Sequence, residues 1–214
     1  MFITLEGIEG SGKTTQINHI AEFLKLRGIR YIITKEPGGT AIGQKIRSIL
    51  LDPDHDRIHP LTELLLYSAD RIQHIKEMIA PMLEMGKTIL CDRFYDSTTV
   101  YQGFSRGLDI NLINHLNNLV LGGLKPDLTF LLDLPAEAGL ERAWKQIKSG
   151  HRPDAETRFE KEKLVFHEKV RQGYLKLASL EPDRFAVIDA LTDENRVKET
   201  ILTELAKRFN FDKF

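Results

Sequence analysis

Eight consecutive residues near the start of the chain, Gly7 to Thr14, constrain its fold and chemistry more than any other feature. They read Gly-Ile-Glu-Gly-Ser-Gly-Lys-Thr and match the pattern G-x-x-x-x-G-K-[ST]. In such a pattern the glycines let successive backbone N–H groups turn toward an anion, the lysine reaches the β- and γ-phosphates, and the hydroxyl binds magnesium. The residues lie between an apolar run and a helical pattern, which is where a phosphate-binding loop occurs.

The loop predicts that the chain binds a nucleoside triphosphate with magnesium. Its glycines follow the order G-x-x-G-x-G, which differs from the dinucleotide fingerprint G-x-G-x-x-G. The residues expected to bind the triphosphate are Gly7, Ile8, Glu9, Gly10, Ser11, Gly12, Lys13, Thr14 and Thr15, with Thr14 as the magnesium ligand.

Short apolar runs alternate with helix-length stretches along the whole chain. Apolar strands separated by helices form βαβ units, whose parallel sheet is covered on both faces. The predicted fold class is therefore α/β. Strands are expected at 2–5, 30–34, 88–91, 128–132 and 185–188, and helices at 16–27, 41–51, 61–85, 110–122, 136–149, 158–180 and 193–209.

The composition is typical of a folded globular chain, and its charge balance does not favour a strongly charged partner. Its 214 residues fit one domain, and 30 Lys and Arg against 31 Asp and Glu leave a net charge of −1. Neither nucleic acid nor a membrane surface is therefore an expected partner. The single cysteine, Cys91, is expected to be a buried strand residue of a cytoplasmic protein. The seven histidines have no metal-ligand spacing and are expected to be structural or solvated, with His74 on a helix surface.

Three kinds of protein use a phosphate-binding loop of this type: GTPase switches, mechanical ATPases and small-molecule kinases. A GTPase carries an N-K-x-D motif, and the sequence contains no Asn-Lys pair. A mechanical ATPase has an Asp-Glu pair after a hydrophobic strand, whereas here Asp92 is followed by Arg93. A cation beside the γ-phosphate suits transfer to a second anion, because two phosphorylated substrates repel each other. These residues favour a kinase that acts on a phosphorylated acceptor.

Three more motifs follow the loop in order along the chain. They are Lys35-Glu36-Pro37-Gly38-Gly39-Thr40, then Leu64-Leu65-Leu66-Tyr67-Ser68-Ala69-Asp70-Arg71, then Asp92-Arg93-Phe94 with Ser97 and Tyr101-Gln102-Gly103. They are similar to the R-E-P-G-G-T, L-L-L-F-x-A-D-R and D-R-[YF]-x-x-S-x-x-x-Y-Q-G motifs of thymidylate kinases. With the phosphate-binding loop, the resemblance covers nearly the whole chain.

This resemblance implies a three-layer P-loop kinase fold, with a five-stranded parallel sheet flanked by helices. It also implies one domain over residues 1–214, a small lid at about 148–157, and a homodimer. The implied reaction is ATP plus dTMP giving ADP plus dTDP, with magnesium. The residues that the resemblance places at the acceptor are Glu36, Pro37, Arg47, Tyr67, Arg71, Arg93, Ser97, Thr98, Tyr101 and Gln102.

The resemblance also implies a role for most of these residues in holding the base and the sugar. Tyr67 would stack on thymine, and Arg71, one helical turn later, would hydrogen-bond the base. Ser97 and Gln102 would help to fix the base. Tyr101 would crowd the 2′ position of the sugar and so select deoxyribose.

The acceptor phosphate is assigned to arginines, whose planar fork matches phosphate oxygens. Arg47 and Arg93 would hold this phosphate, and Glu36 would line the acceptor pocket. Glu9 would lie near the sugar and the transferring phosphate. The residues expected to act in catalysis are Lys13, Arg93, Glu9 and Arg152.

The assignment of Arg152 follows from a departure within the phosphate-binding loop. Some family members have an arginine there, where this chain has Gly10 and Ser11. The positive charge for the transition state must then come from elsewhere. The expected lid offers Arg152, with Arg142 and Arg158 on flanking helices, and Arg152 is predicted to approach the transferring phosphate. The alternative is a solvated surface arginine.

Two other functions stay open at this point. One is a P-loop kinase for another nucleotide or for a deoxynucleoside, against which Tyr101, Arg71 and the two phosphate arginines argue. The other is a nucleotide-dependent binding protein without catalysis, against which the joint presence of four residues argues: Lys13, Thr14, Arg93 and Glu9.

Overall fold

A parallel sheet of five strands lies at the centre of the computed structural model, which describes residues 1–150 and 153–211. The strand order is β2-β3-β1-β4-β5. Every residue of β1 is buried, as are most residues of β3 and β4, because helices cover both faces of the sheet. The strands are β1 Phe2–Glu6, β2 Tyr31–Lys35, β3 Thr88–Asp92, β4 Leu128–Asp133 and β5 Phe185–Asp189.

Helices fill the connections between the strands, as the sequence predicts. The α-helices are α1 Lys13–Leu26, α2 Ala41–Leu51, α3 Pro60–His74, α4 Ala80–Glu84, α5 Tyr95–Thr98, α6 Ile110–Leu121, α7 Ala136–Lys148, α8 Leu164–Leu180 and α9 Glu194–Phe209. Two π-helical segments, Ile75–Ile79 and Thr99–Ser105, join α3 to α4 and extend α5, and a 3₁₀ turn covers Asp154–Glu156. Among the described residues, none of these helices has the length and apolar character that crossing a bilayer requires.

One helix is missing from the sequence expectation, and another begins later than expected. The helix over 95–105 is not predicted from its sequence, since Thr98, Thr99, Val100 and Tyr101 are residue types that favour strands. It forms because its residues are buried against α8 and α6, and tertiary packing overrides weak local propensity. Helix α8 begins at Leu164 rather than at 158, since residues 157–163 form turns instead.

The sheet register places the phosphate-binding loop beside the end of β3. Leu5 in β1 pairs with Asp92 in β3, so the loop that follows β1 and the Arg93 that follows β3 leave the sheet as neighbours. In open parallel sheets, ligands bind at the carboxyl ends of the strands, where connections diverge. The fold therefore brings the first and the fourth sequence motifs to one edge.

Candidate active site

One cavity of about 570 Å³ opens at this edge and connects all four sequence motifs. Its walls include the phosphate-binding loop, the Glu36–Gly39 loop, residues of α3 and the segment after β3. Predicted site residues that line it are Glu9, Gly10, Ser11, Gly12, Lys13, Thr14, Thr15, Glu36, Pro37, Arg47, Tyr67, Arg71, Arg93, Ser97, Thr98, Tyr101 and Gln102. Gly7 and Ile8 stand at the start of the loop, next to the sheet.

The phosphate-binding loop curls around the Lys13 ammonium group. Lys13 Nζ donates to the carbonyl oxygens of Gly7 at 3.0 Å and Ile8 at 2.9 Å, and to Ser11 Oγ at 3.3 Å. Burial lowers the pKa of Lys13 to about 8. Gly10 has a φ of 71°, and a Cβ there would collide with the carbonyl oxygen of Gly139 in α7. The close approach of α7 therefore requires glycine at this position.

The Thr14 hydroxyl and the Asp92 carboxylate meet at the base of the loop. Thr14 Oγ1 donates to Asp92 Oδ2 at 3.1 Å. In the part of the chain that the structure describes, no group of three or more His, Cys, Asp or Glu side chains could hold a metal ion. A hydroxyl and one carboxylate suit magnesium, which in kinase sites takes one or two protein oxygens and completes its shell with phosphates and water.

Arg93 occupies the centre of the cavity from an unusual backbone conformation. Its φ is 68°, and its N–H donates to the Leu5 carbonyl oxygen at 3.0 Å, which ties the residue to β1. The buried Cys91 thiol donates to the Arg93 carbonyl oxygen at 3.0 Å. Cys91 is thus a packed strand residue, as predicted, and it also supports the turn that aims Arg93.

The guanidinium of Arg93 joins three elements of the site. Nη1 donates to Ser97 Oγ at 3.3 Å and to Tyr174 Oη at 3.1 Å, and Nη2 donates to Glu9 Oε1 at 3.0 Å. Arg93 also lies 5.1 Å from the centre of the Tyr101 ring. The predicted residues Glu9, Arg93, Ser97 and Tyr101 therefore form one contiguous group.

Glu9 is the carboxylate of this group, and three side chains contact it. Its Oε1 accepts from Arg93 and from Tyr101 Oη at 2.6 Å, and its Oε2 faces His167 Nδ1 at 3.1 Å. Burial acts to raise the pKa of Glu9, but the hydrogen bond from His167 and the charges of Arg93, His167 and Lys13 outweigh it. The pKa of Glu9 therefore lies well below its usual range, and the carboxylate is ionised.

Arg71 is buried in α3, at the end of the cavity where the nucleobase is expected, and two side chains hold it. Its Nε donates to Glu36 Oε2 at 2.8 Å and its Nη2 to Thr98 Oγ1 at 2.9 Å. Among the described residues, its Nη1 has no hydrogen-bond partner. A buried guanidinium nitrogen without a partner is costly, so this arrangement suits a ligand that supplies an acceptor.

His74 is fully buried, and its expected position on a helix surface is wrong. Its Nδ1 lies 2.9 Å from Glu36 Oε1, and its Nε2 lies 2.7 Å from Thr34 Oγ1. The reason is that α3 turns this face toward β2 and the Glu36 loop. Together, His74 and Arg71 hold both oxygens of Glu36, which fixes the loop that lines the acceptor pocket.

Two residues that are predicted to contact the nucleobase are oriented by carboxylates from outside the four motifs. Ser97 Oγ donates to Glu6 Oε2 at 2.7 Å, and Gln102 Nε2 donates to Glu63 Oε1 at 2.8 Å. Burial, with the charge of Asp96, raises the pKa of Glu6 to about 7. Tyr67 lies half-buried on the same wall, in a position to present its ring to the cavity.

Arg47 is paired with a carboxylate that sequence reasoning missed. Its Nε and Nη2 donate to the two oxygens of Glu156 at 2.9 and 2.7 Å, and its Nη1 donates to the Pro37 carbonyl oxygen at 2.9 Å. This is the two-pronged geometry with which arginine binds a phosphate. In this structure the Glu156 carboxylate occupies the fork of Arg47.

The predicted lid arginine, Arg152, lies outside the described residues. The other two arginines considered for this role, Arg142 and Arg158, bind other groups of the chain. Arg142 donates to the Ala190 carbonyl oxygen at 2.9 Å, and Arg158 is bound to the buried Glu63 at 2.5 Å.

The raised pKa of Asp70 allows a test of how burial at this site affects the free energy of unfolding. Its Oδ1 accepts from the Gly38 N–H at 3.0 Å, and burial, with the charge of Glu36, raises the pKa of Asp70 to about 6. The folded state therefore binds a proton more tightly than the unfolded state, and the stability linked to this proton disappears as pH rises through about 6. Asp70→Asn keeps the acceptor and cannot ionise. The free energy of unfolding of this variant minus that of wild type should therefore increase by about 1 kcal/mol as pH rises from about 5 to about 7.

Urea denaturation of both proteins across this pH range measures that gain. The exposed Asp54→Asn serves as the matched control and should follow wild type throughout. A difference between Asp70→Asn and wild type that does not change with pH contradicts the prediction.

Comparison with known proteins identifies the family of this chain. Residues 5–201 match the family model for thymidylate kinase. A thymidylate kinase of Desulfosudis oleivorans is 55% identical over 207 residues, which cover 97% of each chain. One of Geobacter sulfurreducens is 56% identical over 188 residues, which cover 88% of each. The crystal structure of a thymidylate kinase from Ehrlichia chaffeensis is 34% identical, covers 96% of this chain and 98% of its own, and superposes with a TM-score of 0.75. The chain therefore belongs to the thymidylate kinase family.

Proposed function

We propose that this chain transfers the γ-phosphoryl group of ATP to the phosphate of dTMP, giving ADP and dTDP. An oxygen of the acceptor phosphate attacks the γ-phosphorus, and the bond from that phosphorus to the β,γ-bridging oxygen breaks. The observation that carries the proposal is the position of Arg93 between the phosphate-binding loop and the acceptor wall. The acceptor wall is the side of the cavity lined by Tyr67, Arg71, Ser97, Thr98, Tyr101 and Gln102. A guanidinium there offsets the repulsion between two phosphorylated substrates and stabilises the transferring group.

Each part of the cavity has a proposed role in this reaction. Lys13 and the loop amides bind the β- and γ-phosphates. Arg71, whose Nη1 has no hydrogen-bond partner among the described residues, binds the thymine, against which Tyr67 stacks. Tyr101 stands by the sugar, where its ring leaves no room for a 2′-hydroxyl.

Magnesium is proposed to bind at Thr14 and Asp92 together with oxygens of the triphosphate. When bound, the ion would offset charge on the β- and γ-phosphates. The 3.1 Å contact between the Thr14 hydroxyl and the Asp92 carboxylate supports this position.

The chain is also proposed to form a single domain with a small lid at about 148–157. Arg152 is the lid residue that we propose approaches the transferring phosphate.

A coupled assay of ADP release with magnesium and ATP tests the function directly. The acceptors are dTMP, dUMP, UMP and dCMP, with a reaction lacking an acceptor as the control. We expect turnover with dTMP well above the rest and little ADP without an acceptor. Turnover that prefers UMP would overturn the role of Tyr101, and ADP release that needs no acceptor would favour a hydrolysing switch.

We also propose that the chain is a homodimer, formed through one apolar face. Helix α3 packs between α2 and α6, and all three helices present large apolar side chains to solvent. An apolar patch of this kind marks an interaction surface. Its exposed residues are Ile42, Ile49, Leu61, Leu65, Leu112 and Leu119.

Leu65→Glu should convert the dimer into a monomer, because the substitution places a charge within the apolar face. Sedimentation velocity measures the change. Leu180→Glu is the matched control, since Leu180 is also exposed but ends α8, which is not one of the three helices of that face, and it should leave the dimer intact. A wild-type monomer at assay concentration would contradict the proposal.

The proposed location is the cytoplasm. Support comes from the single buried Cys91, which has no second cysteine in the sequence with which to form an internal disulfide.

A further inference from the structure

His167 lies on the buried face of α8, directly behind the catalytic carboxylate. Its side chain is fully buried, with its ring in edge contact with Phe166. Nδ1 lies 3.1 Å from Glu9 Oε2, and Nε2 lies 3.1 Å from the Phe159 carbonyl oxygen. None of the four sequence motifs contains this residue.

Both of its ring nitrogens face oxygen atoms that accept hydrogen bonds. A carbonyl oxygen can only accept, so Nε2 carries a proton. The Glu9 carboxylate is ionised beside Arg93 and can also only accept, so Nδ1 carries a proton as well. The ring is therefore an imidazolium with both N–H groups satisfied.

The two oxygens of Glu9 are consequently divided between two cations. Oε1 accepts from Arg93 and the Tyr101 hydroxyl, and His167 is the hydrogen-bond partner of Oε2 among the described residues. Without His167, Oε2 would be buried with no charged partner, and the carboxylate could turn away from Arg93. In the part of the chain that the structure describes, the charged and titratable groups that contact Glu9 or lower its pKa most are Lys13 from α1, Arg93 after β3, Tyr101 in the π-helical segment and His167 from α8.

We propose that His167 is a positioning residue for phosphoryl transfer, which holds Glu9 in the orientation that fixes Arg93 and Tyr101 in the cavity. This inference rests on the proposed function. Because His167 acts through Glu9 and not on the nucleotide, its loss should affect turnover far more than ATP binding.

Replacement by a ring of similar size without a donor provides the main test. His167→Phe should lower kcat with dTMP by about 10- to 100-fold, the worth of a hydrogen bond to a charged group. The KM for ATP should stay within about two-fold. His167→Gln, which keeps one donor for Glu9, should recover part of the kcat and provides the measurement should the Phe variant not fold.

The pH dependence separates positioning from a merely structural role. Loss of the charge and the hydrogen bond lets Glu9 take up a proton more easily, so the ratio of wild-type to His167→Phe kcat should grow as pH falls from about 8 to about 5.5. Taking the ratio cancels the titration of the acceptor phosphate. Val170→Ala, a buried apolar change about one turn along α8 that has no polar group for Glu9, should lower stability and leave this ratio flat.

A double-mutant cycle completes the test. In a Glu9→Gln background, His167→Phe should change kcat by less than about two-fold, because the group that it positions is gone. A similar loss in both backgrounds, or a ratio that is independent of pH, overturns the proposal. Absence of dTMP kinase activity in the wild-type enzyme would instead overturn the proposed function.

Nitrogen NMR of the histidine rings gives a readout that is independent of activity. Both ring N–H groups of His167 should be present in wild type, and one of them should be lost in Glu9→Gln. A wild-type ring with a single N–H contradicts the imidazolium and with it the proposal.

Discussion

Lys13→Ala should lower kcat with ATP and dTMP by about 10³-fold, the upper end of what one preorganised donor contributes to a charged transition state. Lys13 Nζ already points into the curl of the phosphate-binding loop, where the carbonyl oxygens of Gly7 and Ile8 hold it. Its charge is thus in place before the γ-phosphate arrives. Steady-state kinetics with saturating substrates measures the loss.

Lys13→Arg distinguishes the position of the charge from the charge itself. A guanidinium keeps the positive charge but is larger and planar, so it cannot sit among the same three acceptors. We expect this variant to stay at least about 10²-fold below wild type. Thermal denaturation should show both variants folded, and a kcat within about ten-fold of wild type for Lys13→Ala would contradict the assigned role.

Arg93→Ala should also lower kcat by about 10³-fold, since an arginine at a transferring phosphoryl group is worth 10³ or more in related P-loop enzymes. Two effects combine at this position. The substitution removes the charge between donor and acceptor, and it leaves Glu9 Oε1 with Tyr101 as its remaining hydrogen-bond donor. The KM for dTMP should rise as well, because Arg93 also lines the acceptor wall.

Arg93→Lys is the matched control for this prediction. A lysine keeps one charge but cannot reach Glu9, Ser97 and Tyr174 together, as the guanidinium does. Its kcat should fall between those of Arg93→Ala and wild type. Equal kcat values for the lysine and alanine variants would show that the charge of Arg93 contributes nothing beyond its hydrogen bonds.

The two arginines at the acceptor illustrate how far a motif can be interpreted. The resemblance to thymidylate kinases predicts that Arg71 and Arg47 line the cavity, and both do. It does not predict their partners, since Glu36 lies 35 residues from Arg71 and Glu156 lies 109 residues from Arg47. No local pattern relates residues so far apart in sequence, so these pairs exist only once the chain has folded.

Helix α5 with its π-helical extension illustrates the opposite case. The sequence from Tyr95 to Ser105 is rich in β-branched and aromatic residues, yet it is helical because α8 and α6 bury it. Local propensity amounts to less than about 1 kcal/mol per residue, and burial of several side chains exceeds it. This segment carries Ser97, Thr98, Tyr101 and Gln102, so the element that local sequence predicts worst presents much of the acceptor wall.

By itself the sequence determined the α/β class, the five strands and the phosphate-binding loop, because each depends on residues that are consecutive or regularly spaced. Only the tertiary structure decided that His167 would face Glu9, across 158 residues of chain. It likewise decided that Glu6 and Glu63 would orient Ser97 and Gln102. The physical reason is burial, since a polar group taken from water needs a partner, and packing decides which distant residue supplies it.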